Sequence, residues 1–179
     1  MRIRDAAAGE APSLEALQRR SSDVWAEYRE QLVNNPDAIA LPEGFIENGW
    51  VRVAVAGDDT PVGFSVVIPG DDATHELDGL FVEPRSMYRG VGRMLVEDAA
   101  SRAAEKDVRW LDVTAGPATG FYEKVGFTIV GSARTRFGPA VRMRREIASH
   151  RGPPRLEGFQ LGLSSEHVHG ARDDQQDGG

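Results

Sequence analysis

Apolar and polar positions follow two rhythms along the chain, and the changes of rhythm mark its elements. Ile3 stands in a short opening strand. From Pro12-Ser13, which offers a helix cap, Leu14, Leu17, Val24, Trp25, Tyr28 and Leu32 recur at helical spacing. The pattern predicts one helix, ended by Asn34-Asn35-Pro36. A loop with Pro42 and Gly44 leads into the valine-rich run 50–55, which reads as a strand. Gly57-Asp58-Asp59-Thr60-Pro61 turns the chain into a returning strand over 62–68. Pro69-Gly70-Asp71-Asp72 turns it again into 75–82, which completes an antiparallel meander.

The next stretch carries the first chemical signal. Val82-Glu83-Pro84 closes the strand, Gly90-Val91-Gly92 follows a short loop, and 93–104 runs as an uninterrupted helix former. A helix that starts at a glycine turn presents unpaired backbone N–H groups and the positive end of its dipole, and glycine lets a bulky anion approach the main chain. Such a place binds phosphate or pyrophosphate; glycines that only shape a tight connection are the plain alternative. A dinucleotide fold is disfavoured, because Leu95 occupies the third glycine position and three antiparallel-looking strands precede the loop. Asp112 lies 20 residues after Gly92 but inside the strand 110–114. No Gly-Lys-Ser/Thr follows the glycines, so a Walker loop is absent.

Composition narrows the class. A chain of 179 residues, 40% apolar and 27% charged, is one globular domain with some length to spare. The alternation of strand-like and helix-like stretches makes it α/β. No long apolar window or leader-like N-terminus is present, so no membrane association is expected and the location is expected to be cytoplasmic. The absence of cysteine removes disulfides, thiolate nucleophiles and Cys-based zinc sites. Three of four histidines fall in the last 30 residues, so no metal centre is expected in the folded part. A net charge of −7 argues against nucleic acid as a partner. From Arg151 the chain has a Pro pair and many glycines without an apolar period, so 148–179 reads as a disordered extension after a domain at 1–147.

Two segments in order resemble a known family. Leu80-Phe81-Val82-Glu83-Pro84 followed by Gly90-Val91-Gly92-Arg93-Met94-Leu95 is similar to the acetyl-CoA pyrophosphate loop of the GCN5-related N-acetyltransferases (GNAT), Gln/Arg-x-x-Gly-x-Gly/Ala after the fourth strand. Ala118-Thr119-Gly120-Phe121-Tyr122-Glu123-Lys124-Val125-Gly126-Phe127 resembles the family's second signature, 31 residues on from Gly90 to Phe121. Met87 stands where the family has Gln or Arg, Tyr88 where Gly is common, and Ala115 where Asn is frequent. The resemblance covers about 1–147 and implies a mixed, mostly antiparallel central sheet flanked by helices, with 141–145 as a final strand. It also implies acetyl-CoA as cosubstrate, held by Leu80, Phe81, Val82, Met87, Tyr88, Arg89, Gly90, Val91, Gly92, Arg93 and Phe121. Family members are often dimers, which adds a homodimer to the expected partners.

Acetyl transfer to an amine requires a held thioester, a neutral amine, donors for an oxyanion and a proton for the departing thiolate. Alternation along 76–82 is expected to turn Glu76, Asp78, Leu80 and Val82 to one face and Leu77, Gly79 and Phe81 to the other. Glu76, and after it Asp78, are candidates for the base or for binding the amine; a solvated carboxylate is the plain alternative. Phe121 and Tyr122 point about 100° apart on a helix, so one can pack while the other reaches the cleft. By resemblance Tyr122 is the general acid, and the oxyanion donor is a backbone N–H near Val82. The resemblance also implies an acceptor pocket from 22–49 and the final hairpin, where Trp25, Tyr28, Leu41, Phe45 and Ile46 are candidate lining residues. The acceptor is expected to be a primary amine of a small molecule or of a protein or peptide, and Asp71, Asp72, Glu76 and Asp78 suit a cationic one. A non-catalytic acyl-CoA-binding regulatory domain is the alternative, motivated by Met87 and Ala115.

Overall fold

Runs of β-branched residues with period-two burial build one sheet, and two helical layers cover its faces. In the computed structural model, which describes residues 1–71 and 73–148, the strands are β1 (Arg2–Asp5), β2 (Val51–Val55), β3 (Pro61–Pro69), β4 (Thr74–Val82), β5 (Trp110–Ala115), β6 (Thr128–Thr135) and β7 (Gly138–Glu146). The helices are α1 (Ala11–Ser22), α2 (Ala26–Asn34), α3 (Glu43–Glu47), α4 (Val91–Glu105) and α5 (Thr119–Lys124). The sheet order is β1-β2-β3-β4-β5-β7-β6. Every neighbouring pair is antiparallel except β4 and β5. The expected mixed, mostly antiparallel sheet flanked by helices is therefore the fold. The extension expected at 148–179, with His167 and His169, lies from residue 149 onward outside the described residues, as does Asp72.

Alternation along β2 divides the core. Val51, Val53 and Val55 pack with Leu14 and Leu17 of α1 and Ile46 of α3, whereas Ala54 packs on the opposite face with Val91 and Leu95 of α4. α4 also lays Val96, Ala99 and Ala103 against Leu77, Leu111, Val113 and Met143. Burying a leucine completely stabilises by about 1.5–3 kcal/mol, and Leu14, Leu17, Leu95 and Leu111 are each 0–1% exposed.

Two sequence expectations are corrected here. The single helix expected from Leu14 to Leu32 is two helices, because Trp25 between them is extended, with φ −92° and ψ 113°. Its sequence offers a weak point at Ser21-Ser22-Asp23, residues whose side chains compete for backbone hydrogen bonds. The break lets α1 stay on the sheet while α2 leans toward the β6–β7 turn, where Tyr28 meets Phe137 edge-on at 5.8 Å. The second correction concerns β4. Gly79 pairs with Val66 and Leu77 with Val67, so Asp78 is an extra residue, a β-bulge. One extra residue reverses the faces of everything before it. Leu77 and Leu80 both face α4, and Glu76 faces α1 with Phe81. Glu76 and Leu80 do not share a face.

Candidate active site

The site begins where β4 and β5 part. Their parallel pairing covers only Thr74–Trp110, His75–Leu111 and Glu76–Asp112. The bulge at Asp78 twists β4 away immediately afterwards, and the two strands diverge up to Val82 and Ala115. Glu83 donates its N–H to Val62 C=O at 2.9 Å, so alternation turns Glu83 and Phe81 toward β3 and leaves Leu80 and Val82 facing the gap. Val82 N–H donates there to Ser21 Oγ at 3.2 Å. Ser21, 6% exposed at the end of α1, is a site residue that sequence reasoning missed. No local pattern marks it, since its partner lies 61 residues away.

At the top of the gap the glycine turn adopts the geometry an anion needs. Gly90 has φ +84° and ψ 1°, and a Cβ built there meets nothing within 4 Å, which leaves open space above the backbone. Tyr88 also has a positive φ of 60° and is fully exposed. The first internal bond of α4 runs from Met94 N–H to Gly90 C=O at 3.0 Å, so the amides of Val91, Gly92 and Arg93 have no helical acceptor. Arg89 and Arg93 are exposed beside them. Gly92 serves differently: a Cβ there would come within 3.1 Å of the Phe121 ring and 3.8 Å of Val82, so β4, α4 and α5 converge at this point. These residues fit a pyrophosphate and an extended arm running down to the gap. Phe81, expected among the cofactor-binding residues, turns its ring into the α1-side core, where it packs at 5.1 Å on Phe64.

Glu76 opens onto a cleft of about 240 Å³ on the α1 face, lined also by Asp71, Thr74, Asp112, Thr114 and Arg142. Glu76 and Asp78 are exposed at the cleft mouth. Partial desolvation by the surrounding protein raises the Glu76 carboxyl above its ordinary range, and the negative charges of Asp78 and Asp112 add to the rise against Arg142. Partial desolvation also raises Asp78. Asp112 is held by Arg144, whose Nε and Nη2 donate to its two oxygens at 2.7 Å each. The cleft is acidic and suits a cation.

Tyr122 lies on the other side of the gap. α5 buries it among the α4-face core, with Phe121 and Phe127 edge-on at 5.2 and 5.5 Å. Burial raises the phenol strongly, with a smaller contribution from Tyr28, so it stays protonated across the working range of pH. Of the expected acceptor-lining residues, Tyr28 reaches this region, its hydroxyl so close to Gly116 that a Cβ there would collide. Leu41 and Ile46 instead complete the core under α1, and Phe45 packs on Trp50 at 5.3 Å. Leu41 and Ile46 are therefore core residues over the α1 face of β2 and β3. Arg136 of the β6–β7 turn pairs with Asp37 at 3.1 Å and completes the lip opposite α2. Among the described residues no helix is long and apolar enough to cross a membrane.

The same fold recurs in proteins of known structure. The family model for an acetyltransferase (GNAT) domain matches residues 48–129. The peptidyl-lysine N-acetyltransferase YjaB of Escherichia coli K12 is 35% identical over 127 residues, 68% of this chain and 78% of that protein. The solution structure of apo YjaB from Escherichia coli superposes with a TM-score of 0.58 at 31% identity, covering 83% of this chain and 97% of that one. In fold alone, the PaiA N-acetyltransferase of Thermoplasma acidophilum in complex with coenzyme A is similar, with a TM-score of 0.68 at 19% identity, covering 81% and 98%.

Proposed function

The chain belongs to the GNAT family and is an acetyl-CoA-dependent N-acetyltransferase, and from that premise we propose that its acceptor is the side-chain amine of lysine in a protein or peptide. The acidic cleft that opens at Glu76, where β4 and β5 separate, carries this reading. The peptidyl-lysine activity named for a relative 35% identical supports it. We assign the reaction to the cytoplasm, where acetyl-CoA is supplied.

When bound, acetyl-CoA supplies an activated acetyl group as a thioester. The amides of 91–93 and the open space over Gly90 hold its pyrophosphate, with the exposed Arg89 and Arg93 beside them. The Ser21 hydroxyl, which accepts from Val82 N–H, has its own proton to donate to the arm, and Leu80 N–H is the donor for charge that develops on the carbonyl oxygen. A lysine ammonium has a pKa of ~10.4, so only about one amine in 2,500 is neutral at pH 7. Glu76 draws the ammonium into the cleft and takes its proton. Asp78 contributes negative charge beside it and has no separate step. Tyr122 keeps its proton and delivers it to the departing sulfur from the opposite face. Base and acid thus act from the two sides of one gap, which keeps the two proton transfers apart.

The test is an acetylation assay with acetyl-CoA, an N-terminally blocked peptide containing one lysine, the same peptide with arginine in its place, and a panel of small polyamines. Mass spectrometry reads one acetyl group on the lysine peptide alone. Turnover of polyamines with none on any lysine peptide would refute the acceptor class.

A further inference from the structure

Three charged side chains on adjacent strands meet on the α1 face, in register. Glu76 of β4 lies opposite Asp112 of β5, and Asp112 lies opposite Arg144 of β7. Neighbouring strands are about 5 Å apart, so two carboxylates are held side by side, and the charge of Asp112 disfavours ionisation of Glu76. Only Asp112 is compensated directly. Arg144 grips both of its oxygens at 2.7 Å, and the guanidinium lies over the Trp110 ring at 5.2 Å, with Arg109 over the same ring at 4.8 Å. A fork on one side and a ring on the other leave Arg144 little freedom to turn to Glu76. Glu76 itself makes no side-chain hydrogen bond or ion pair with any described residue, and the charges that act on it come from Asp78, Asp112 and Arg142.

We propose that Arg144 is a positioning residue for the acetyl transfer: by occupying both oxygens of Asp112, it leaves Glu76 as the one carboxylate of the pair that takes the acceptor's proton. The inference rests on the reading of Glu76 as the base. Among the described residues, the groups that face Glu76 are Asp78 and Thr74 of its own strand, Asp71 of the preceding turn, Asp112 and Thr114 of β5, and Arg142 and Arg144 of β7. Ile68, opposite Glu76 on β3, brings no charge. Removing Arg144 takes one positive charge from this set and leaves Asp112 a bare negative neighbour, and both changes act in the same direction on Glu76. Glu76 then holds its proton to higher pH, and the acid limb of kcat/KM follows it upward.

The experiment uses the full chain, acetyl-CoA and an N-terminally blocked lysine peptide, with kcat/KM against pH as one readout. Carbon-13 NMR titration of the labelled Glu76 carboxyl is the other, and it needs no turnover. In Arg144→Met both the acid limb and the Glu76 titration are expected to rise by about 0.5–1 pH unit. Arg144→Met/Asp112→Asn reverses the rise, bringing both to the wild-type position or below it, and Asp112→Asn alone lowers them, which keeps a readout should Arg144→Met fold poorly. A Glu76 titration that stays put in Arg144→Met, or whose rise the double variant does not reverse, overturns the proposal. A failure of the base reading looks different: Glu76→Gln then leaves the acid limb in place, while the NMR titration still reports the effect of Arg144.

Discussion

Gly90→Ala separates backbone strain from ligand approach. In the free protein a Cβ at Gly90 touches nothing within 4 Å, so the substitution introduces no clash. Its cost is conformational: Gly90 sits at φ +84°, and an alanine held in the left-handed region costs about 1–2 kcal/mol, partly offset by about 0.4–1 kcal/mol from a less flexible unfolded chain. The net loss of about 0.5–1.5 kcal/mol corresponds to a fall in Tm of about 1–5 °C. Gly9 is the matched control, with φ +77° and equally open space, far along the sequence from the phosphate loop. Gly9→Ala should therefore lose the same stability as Gly90→Ala. Acetyl-CoA affinity should diverge. If the pyrophosphate lies against the amides of 91–93, a methyl group at 90 stands in its path and displaces at least one charge-assisted hydrogen bond, about 1.5–3 kcal/mol, which is a loss of about 10- to 150-fold. Calorimetric titration of acetyl-CoA into both folded variants decides the matter. Equal affinities for Gly90→Ala, Gly9→Ala and the wild type would refute the placement of the pyrophosphate.

Tyr122→Phe removes a hydroxyl and leaves its edge-on contacts with Phe121 and Phe127, so kcat on a lysine peptide should fall by about 10²–10⁴-fold with acetyl-CoA affinity unchanged; full activity would transfer the proton delivery to water. Glu76→Gln should be most impaired near neutral pH and recover as the pH approaches that of the free amine, about 10, whereas a deficit constant with pH would assign Glu76 to acceptor binding alone. Ser21→Ala strips Val82 N–H of its acceptor and should cost about 1–2 kcal/mol in a urea melt of the free protein; an unchanged midpoint would mean that the amide finds another partner. Glu10 is held below its ordinary range first by hydrogen bonds from Arg4 and then by the Ala7 N–H, so it stabilises the fold above the unfolded carboxyl value and loses that contribution as the pH falls through its lower folded one. The stability gap between wild type and Glu10→Gln should therefore be wide at pH 7 and narrow as the pH falls below the ordinary carboxylate range, and a gap independent of pH would remove the carboxylate from the account.

What the amino-acid order settled is local. The valine-rich runs, the glycine turn before a long helix former and the Phe121-Tyr122 pair each act through contacts a few residues apart. The meander, α4, the glycine turn at Gly90 and α5 could accordingly be read along the chain. The relation between the faces of β4 could not. Alternation assigned Glu76 and Leu80 to one side, and the single extra residue at Asp78 put them on opposite sides. A bulge is stabilised by its partner strand and by what packs above it, and neither is written into 76–82. The break at Trp25 is similar, since its value lies in bringing Tyr28 to Phe137, 109 residues further on. Ser21 with Val82 and Asp112 with Arg144 are likewise meetings of 61 and 32 residues' separation. Periodicity reports which side of an element is apolar. Which elements then face one another, and so which carboxylate Arg144 grips, follows from how the whole sheet twists and closes.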